Sequence, residues 1–130
     1  MGIRYQLNEK DNRPWGSWEV ITVGNKYIVK KIIVNPHSAL SLQMHHHREE
    51  HWVFTLGKAM VTVGDERKEL VSGQTAFIQK ETKHRVENTT DEPVEFIEIQ
   101  LGDTLDENDI VRFEDKYNRP INSILTKEAK

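Results

Sequence analysis

The stretch Gln43-Met44-His45-His46-His47-Arg48-Glu49-Glu50-His51-Trp52 decides how this chain is read. Four of the 6 histidines and two carboxylates fall between His45 and His51. If the run up to His47 is a β-strand, alternate side chains share a face. Gln43, His45 and His47 then point one way and His46 the other. A short turn at Arg48-Glu49 returns Glu50 to the same face on the next strand. One wall would thus carry an amide oxygen, imidazole nitrogens and a carboxylate, a donor set suited to borderline divalent metals such as Zn, Mn, Fe or Ni. The competing reading is a solvated polar loop of three adjacent histidines. The β-rich runs on either side and the later His84 weigh against it.

Outward from this stretch, short β-rich runs alternate with turn residues. Residues 18–23 lead through Gly24-Asn25 into residues 27–34. Further runs cover 40–47, 51–56, 59–63, 68–71, 75–79 and 94–101, with Gly57, Gly64-Asp65, Gly73, residues 88–91 and Pro93 marking turns between them. No 3.6-residue apolar period separates the runs, so the spacing predicts an all-β antiparallel sandwich or barrel. The acidic segment 105–117 has room for a turn or a short strand. Residues 121–130 read as a short amphipathic helix or a frayed tail.

Composition narrows the function classes. A chain of 130 residues suits one domain, so residues 1–130 are read as a single unit, with 120–130 as a frayed C-terminal tail. With 0 Cys, disulfides, thiolate metal sites and cysteine nucleophiles are excluded. A formal net charge of -3 offers no basic field for nucleic acid. No apolar run approaches the roughly 20 residues that span a bilayer, so no membrane partner is expected. The polar start, Met1-Gly2-Ile3-Arg4-Tyr5-Gln6, does not read as a secretory leader, and the expected compartment is the cytoplasm.

Gln43-x-His45, then Glu50, then Gly57 resembles the first motif of the cupin superfamily, G-x5-H-x-H-x3,4-E-x6-G. Gly73 to Asn88 is similar to the second, G-x5-P-x-G-x2-H-x3-N, with His84 and Asn88 at its spacing. His37 stands where the first motif has Gly, Gln43 replaces its first His, and Gln79 and Glu81 replace the Pro and Gly of the second. The resemblance implies a cupin-type double-stranded β-helix, a jelly-roll barrel. Three segments narrow it: Arg13-Pro14-Trp15-Gly16-Ser17-Trp18-Glu19-Val20, the stretch from Leu40 to Trp52, and Asp109-Ile110-Val111-Arg112-Phe113-Glu114-Asp115. Together they resemble the C-terminal cupin of type II mannose-6-phosphate isomerases, which in many members follows a mannose-1-phosphate guanylyltransferase domain. The Gly-rich phosphate loop of that preceding domain does not occur in this sequence.

What the resemblance implies is a metal-dependent isomerase interconverting mannose 6-phosphate and fructose 6-phosphate. It implies Gln43, His45, Glu50 and His84 as metal ligands. Zn is favoured, with Mn, Co, Ni or Fe also suited. The family's Arg-x-Glu-His stretch is associated with catalysis and falls on Arg48, Glu50 and His51. Strand alternation places His51 opposite Glu50, while His47 and Glu98 also share candidate faces, so the base stays open between them. Arg13, Lys30, Arg48 and Arg112 are candidates for binding a phosphoryl group, Arg48 first because it adjoins the histidines. The alternatives are a non-catalytic sugar- or nucleotide-sugar-binding cupin and a metal-dependent dioxygenase. The expected partners are a sugar phosphate and a second copy of the chain, paired through edge strands.

Overall fold

The computed structural model describes residues 2–114, and the readings of 120–130 and 121–130 lie outside the described residues. In chain order the strands are β1 (Gly2–Ile3), β2 (Lys10–Arg13), β3 (Gly16–Val23), β4 (Tyr27–Val34), β5 (Ser38–Ala39), β6 (Leu42–Met44) and β7 (Glu49–Leu56). They continue with β8 (Lys58–Val63), β9 (Glu66–Val71), β10 (Thr75–Ile78), β11 (His84–Asn88), β12 (Val94–Leu101), β13 (Thr104–Leu105) and β14 (Val111–Glu114). Among the described residues no helix is long and apolar enough to cross a membrane. One sheet has the order β10-β7-β12-β4-β3-β2 and the other β14-β6-β11-β8-β9, with β5 on β11; β1 and β13 form a separate parallel pair. The all-β barrel expected from the runs and turns is the architecture found.

The core follows from strand alternation. In β4, Ile28, Lys30, Ile32 and Val34 are buried, and in β12 so are Val94, Phe96, Glu98 and Gln100. Cross-strand rows then grade in polarity along the first sheet. Phe54, Phe96, Ile32 and Trp18 make an apolar row. The next row runs Trp52, Glu98, Lys30 and Val20, and the one beyond it Glu50, Gln100 and Ile28. Burying charged groups at positions that elsewhere hold Ile and Phe costs free energy unless they are paired. That end of the barrel therefore concentrates the groups able to do chemistry.

Two local expectations are corrected. The run 40–47 is not one strand: β6 stops at Met44, and the chain bends at His46 and His47. His47 is consequently exposed rather than on the face of His45. Residues 84–88, where no strand was expected, form β11 and pair with both β6 and β8. Their alternating burial rests on His84, Val86 and Asn88, only one of which is apolar. The described part of the acidic segment holds a turn at 107–108 and the short strand β14, and residues 115–117 lie outside the described residues.

Candidate functional site

His45, Glu50 and His84 are each buried, and one donor atom from each lies within 4.8 Å of the others. Glu50 comes from β7 in the first sheet, whereas His45 follows β6 and His84 opens β11 in the second. Both imidazoles are fixed by carbonyl acceptors. His45 Nδ1 donates to the Asp109 carbonyl at 2.6 Å, and His84 Nδ1 to the Thr82 carbonyl at 2.9 Å. A carbonyl can only accept, so each Nδ1 carries the proton and each Nε2 keeps its lone pair. Burial, reinforced by Arg48, lowers His45 to about 3, and burial likewise lowers His84. Both rings are neutral at pH 7, the form that binds metal.

Gln43 stands directly across from His84 and lines the same cavity. Its Nε2 donates to Ser41 Oγ at 3.0 Å, which leaves the amide oxygen as its ligand-capable end. Two neutral imidazoles, one carboxylate and an amide oxygen match a divalent ion of borderline softness.

Arg48 is buried, and its guanidinium is occupied on three sides. Nε donates to Glu50 Oε2 at 2.8 Å, one terminal nitrogen to the Asp106 carbonyl at 3.2 Å, and the other to His45 Nε2 at 3.2 Å. Its reading as a phosphate contact is corrected accordingly: it is an anchor for Glu50. The bond to His45 Nε2 uses the lone pair that a metal would take, so ion and hydrogen bond exclude one another. Burial works against the Glu50 charge, yet Arg48, then His45 and His84, hold its carboxyl well below the usual range. Trp52 Nε1 donates to the second Glu50 oxygen at 2.9 Å.

Glu98 lies in the same cavity, hydrogen-bonded to Glu50 and accepting from Gln100 Nε2 at 2.9 Å. Burial and then the Glu50 charge push it up to about 8, against the pull of Lys30. Of the two carboxyls Glu50 therefore holds the charge, and Glu98 keeps its proton more tightly than an ordinary glutamic acid. His51 is on the other side of β7. It is partly exposed, stacks on Phe77 with ring centroids 4.6 Å apart, and bonds Glu49 at 3.2 Å. The expectation that His51 is catalytic is therefore corrected, because strict alternation from buried Glu50 turns it outward.

Of a second buried group the sequence reading names only Lys30, as a phosphoryl candidate, and misses Tyr5 and Glu107. Lys30 Nζ donates to Glu107 Oε2 at 2.6 Å and to Tyr5 Oη at 3.2 Å, and the Tyr5 hydroxyl donates to the same Glu107 oxygen. Tyr5 and Glu107 are 102 residues apart, or nearly the whole described chain, so no local pattern announces them. Lys30 did leave a signal, since it sits in the buried phase of an otherwise apolar alternation. Asp109 was also passed over as a site residue. Its carboxylate accepts from the backbone N–H groups of His46 at 2.9 Å and His47 at 3.0 Å, clamping the bend that follows His45.

Comparison with known proteins places this geometry. Solved structures share the barrel: a Klebsiella pneumoniae protein with a double-stranded β-helix domain superposes with a TM-score of 0.64 at 18% identity, covering 88% of this chain and 91% of that one. An oxalate decarboxylase from Lactobacillus farciminis gives 0.69 at 19% identity, covering 80% and 33%. Sequence relatives are nearer. The xanthan biosynthesis protein XanB of Xanthomonas campestris pv. campestris is 48% identical over 112 residues, 86% of this chain and 24% of the relative. The mannose-1-phosphate guanylyltransferase of Escherichia coli is 41% identical over 115 residues, 88% and 24%. The alginate biosynthesis protein AlgA of Pseudomonas aeruginosa is 46% identical over 107 residues, 82% and 22%. The chain thus spans about a quarter of the length of these relatives. Residues 3–115 match the family described as mannose-6-phosphate isomerase C-terminal, and with its cupin barrel the chain belongs to that family.

Proposed function

We propose that this chain is a metal-dependent sugar-phosphate isomerase that interconverts mannose 6-phosphate and fructose 6-phosphate. The observation that carries the reading is geometric: the Glu98 carboxyl lies beside Glu50 in the cavity that also gathers His45 and His84. Aldose–ketose isomerisation moves one proton between adjacent carbons, and a buried carboxyl within reach of both carbons suits that task. In its ionised form Glu98 takes the C2 proton of the open-chain aldose. The C2–H electron pair becomes the C1=C2 bond while the C1=O π pair moves onto O1, which takes up the proton that O2 gives up. Glu98 then returns its proton to C1 as an O2 electron pair closes the carbonyl at C2.

A divalent ion held by His45, Glu50, His84 and Gln43, with Zn favoured and Mn, Co, Ni or Fe also suited, supplies a Lewis acid for the sugar oxygens when bound. Arg48 and Trp52 keep Glu50 ionised and aligned. The Asp109 and Thr82 carbonyls hold both imidazoles with Nε2 forward.

A coupled assay on mannose 6-phosphate with added divalent ions tests the reading. Turnover that is lost on chelation, and lowered about 10²-fold or more by Glu98→Gln, is the expected result. Metal-loaded protein that binds sugar phosphates but turns over none of a panel of aldose and ketose phosphates would replace it with a binding module.

A further inference from the structure

Within the same cavity, one buried hydrogen-bond donor meets no acceptor, and it lies beside an ammonium that has one N–H more than its two acceptors. Trp18 and Lys30 both line the cavity and are 4% and 3% exposed. The Trp18 indole Nε1 is buried and meets no acceptor. Lys30 has three N–H donors, of which Glu107 and Tyr5 take two. Its ammonium lies 4.1 Å from the Trp18 ring centroid, so the two groups touch. Buried donors without acceptors are rare because each forfeits its bond to water. An unpartnered indole N–H beside that ammonium on a cavity wall points to an acceptor that arrives with a ligand.

Charge decides what kind of acceptor. Glu107 sits 2.6 Å from Lys30 and is held down to about 2, with Lys30 first among the groups that overcome the opposing effect of burial. The Lys30 charge is therefore already balanced, and a second anion would face the ionised Glu107. An uncharged oxygen carries no such penalty. Position decides which part of a ligand is met. In the first sheet Glu50 is on β7, Lys30 two strands away on β4 and Trp18 one further on β3. Two strand spacings amount to about 10 Å, so this subsite is remote from the metal-donor trio.

We propose that Trp18 Nε1 and Lys30 Nζ form a subsite for an uncharged oxygen, a hydroxyl or ring oxygen of a polyhydroxylated ligand, remote from His45, Glu50 and His84. The choice of a sugar as ligand rests on the function proposed above. The subsite recognises hydroxyl pattern, and the phosphoryl group is bound elsewhere in the cavity.

The test is calorimetric titration of the metal-loaded protein with mannose 6-phosphate, with mannose, and with the 2-, 3- and 4-deoxy forms of mannose 6-phosphate. Trp18→Phe keeps an aromatic ring but removes the N–H together with the five-membered half of the indole, so its melting temperature should fall modestly from lost packing. It is expected to weaken mannose 6-phosphate and mannose by the same factor, about tenfold. In the wild type one deoxy form should lose a similar factor, and in Trp18→Phe that form and its parent should bind alike. Lys30→Met provides a second variant, and the deoxy series on the wild type needs no variant at all. Equal binding of every deoxy form by the wild type, or unaltered affinity in Trp18→Phe, would overturn the subsite and leave the isomerase reading standing. A wild type that binds neither mannose 6-phosphate nor mannose would overturn both.

Discussion

At the scale of single residues, the site is a set of lone pairs aimed by neighbours that never touch a ligand. Arg48 shows how much one neighbour carries. Its removal leaves the Glu50 carboxylate buried without its main counter-charge, and breaking such a pair by deleting one partner costs about 3–5 kcal/mol. Arg48→Ala is therefore expected to lower the denaturation midpoint strongly in chelator. Saturating zinc should return much of that loss, because an ion supplies the missing positive charge, and denaturant unfolding with and without zinc measures both. Asp109 acts more gently. Asp109→Ala frees the backbone at His46 and His47, and metal affinity should fall about tenfold with little change in melting temperature. His84→Ala should abolish tight binding, whereas His46→Ala, on an exposed ring paired with Glu81 at 2.9 Å, should leave it intact. Competition against a chromophoric chelator reads all three.

The elements explain which parts of this site the sequence made legible. On β7 and β12 the period of two is strict, so alternation alone sets His51 on the face opposite Glu50, and the same alternation turns Glu50, Trp52, Glu98 and Gln100 inward in the structure. The same rule failed at His47 because β6 is only three residues long and yields to a bend clamped by Asp109. β11 escaped notice because Val86 alone supplies an apolar signal; its pairing with β6 and β8 holds it in place. Long-range groups such as Tyr5 and Glu107 are products of closure and have no local trace. A glycine reports on the bend from the other side. A Cβ on Gly102 would lie 2.4 Å from the His47 carbonyl oxygen and 3.4 Å from Arg48 Cα. Backbone cannot yield as a side-chain tip does, so Gly102→Ala should cost about 1–3 kcal/mol and displace Arg48. Lowered thermal stability together with weakened zinc binding is the expected pair of results.

For the molecule as a whole, the N-terminal arm and the segment before β14 meet over Lys30 and are tied to the barrel by charge. The Glu107 carboxyl is held at about 2 against an ordinary 4.5. A depressed acid stabilises the fold above its unfolded value and ceases to do so as pH falls through its folded one. The contribution should be complete above about pH 4.5 and vanish by about pH 2. Its size is tempered by solvent, since the Glu107 side chain is 38% exposed. Melting temperature followed across this window should slope less in Glu107→Gln than in the wild type. The ligand trio has a different reach, because Glu50 belongs to one sheet and His45 and His84 flank strands of the other. An ion bound there would be a rivet through the sandwich, and the sheets could not part without breaking a coordination bond. Amide hydrogens of β7 and β11, which share no ladder, would then exchange with deuterium at one common rate, and chelation would let the two sheets exchange independently.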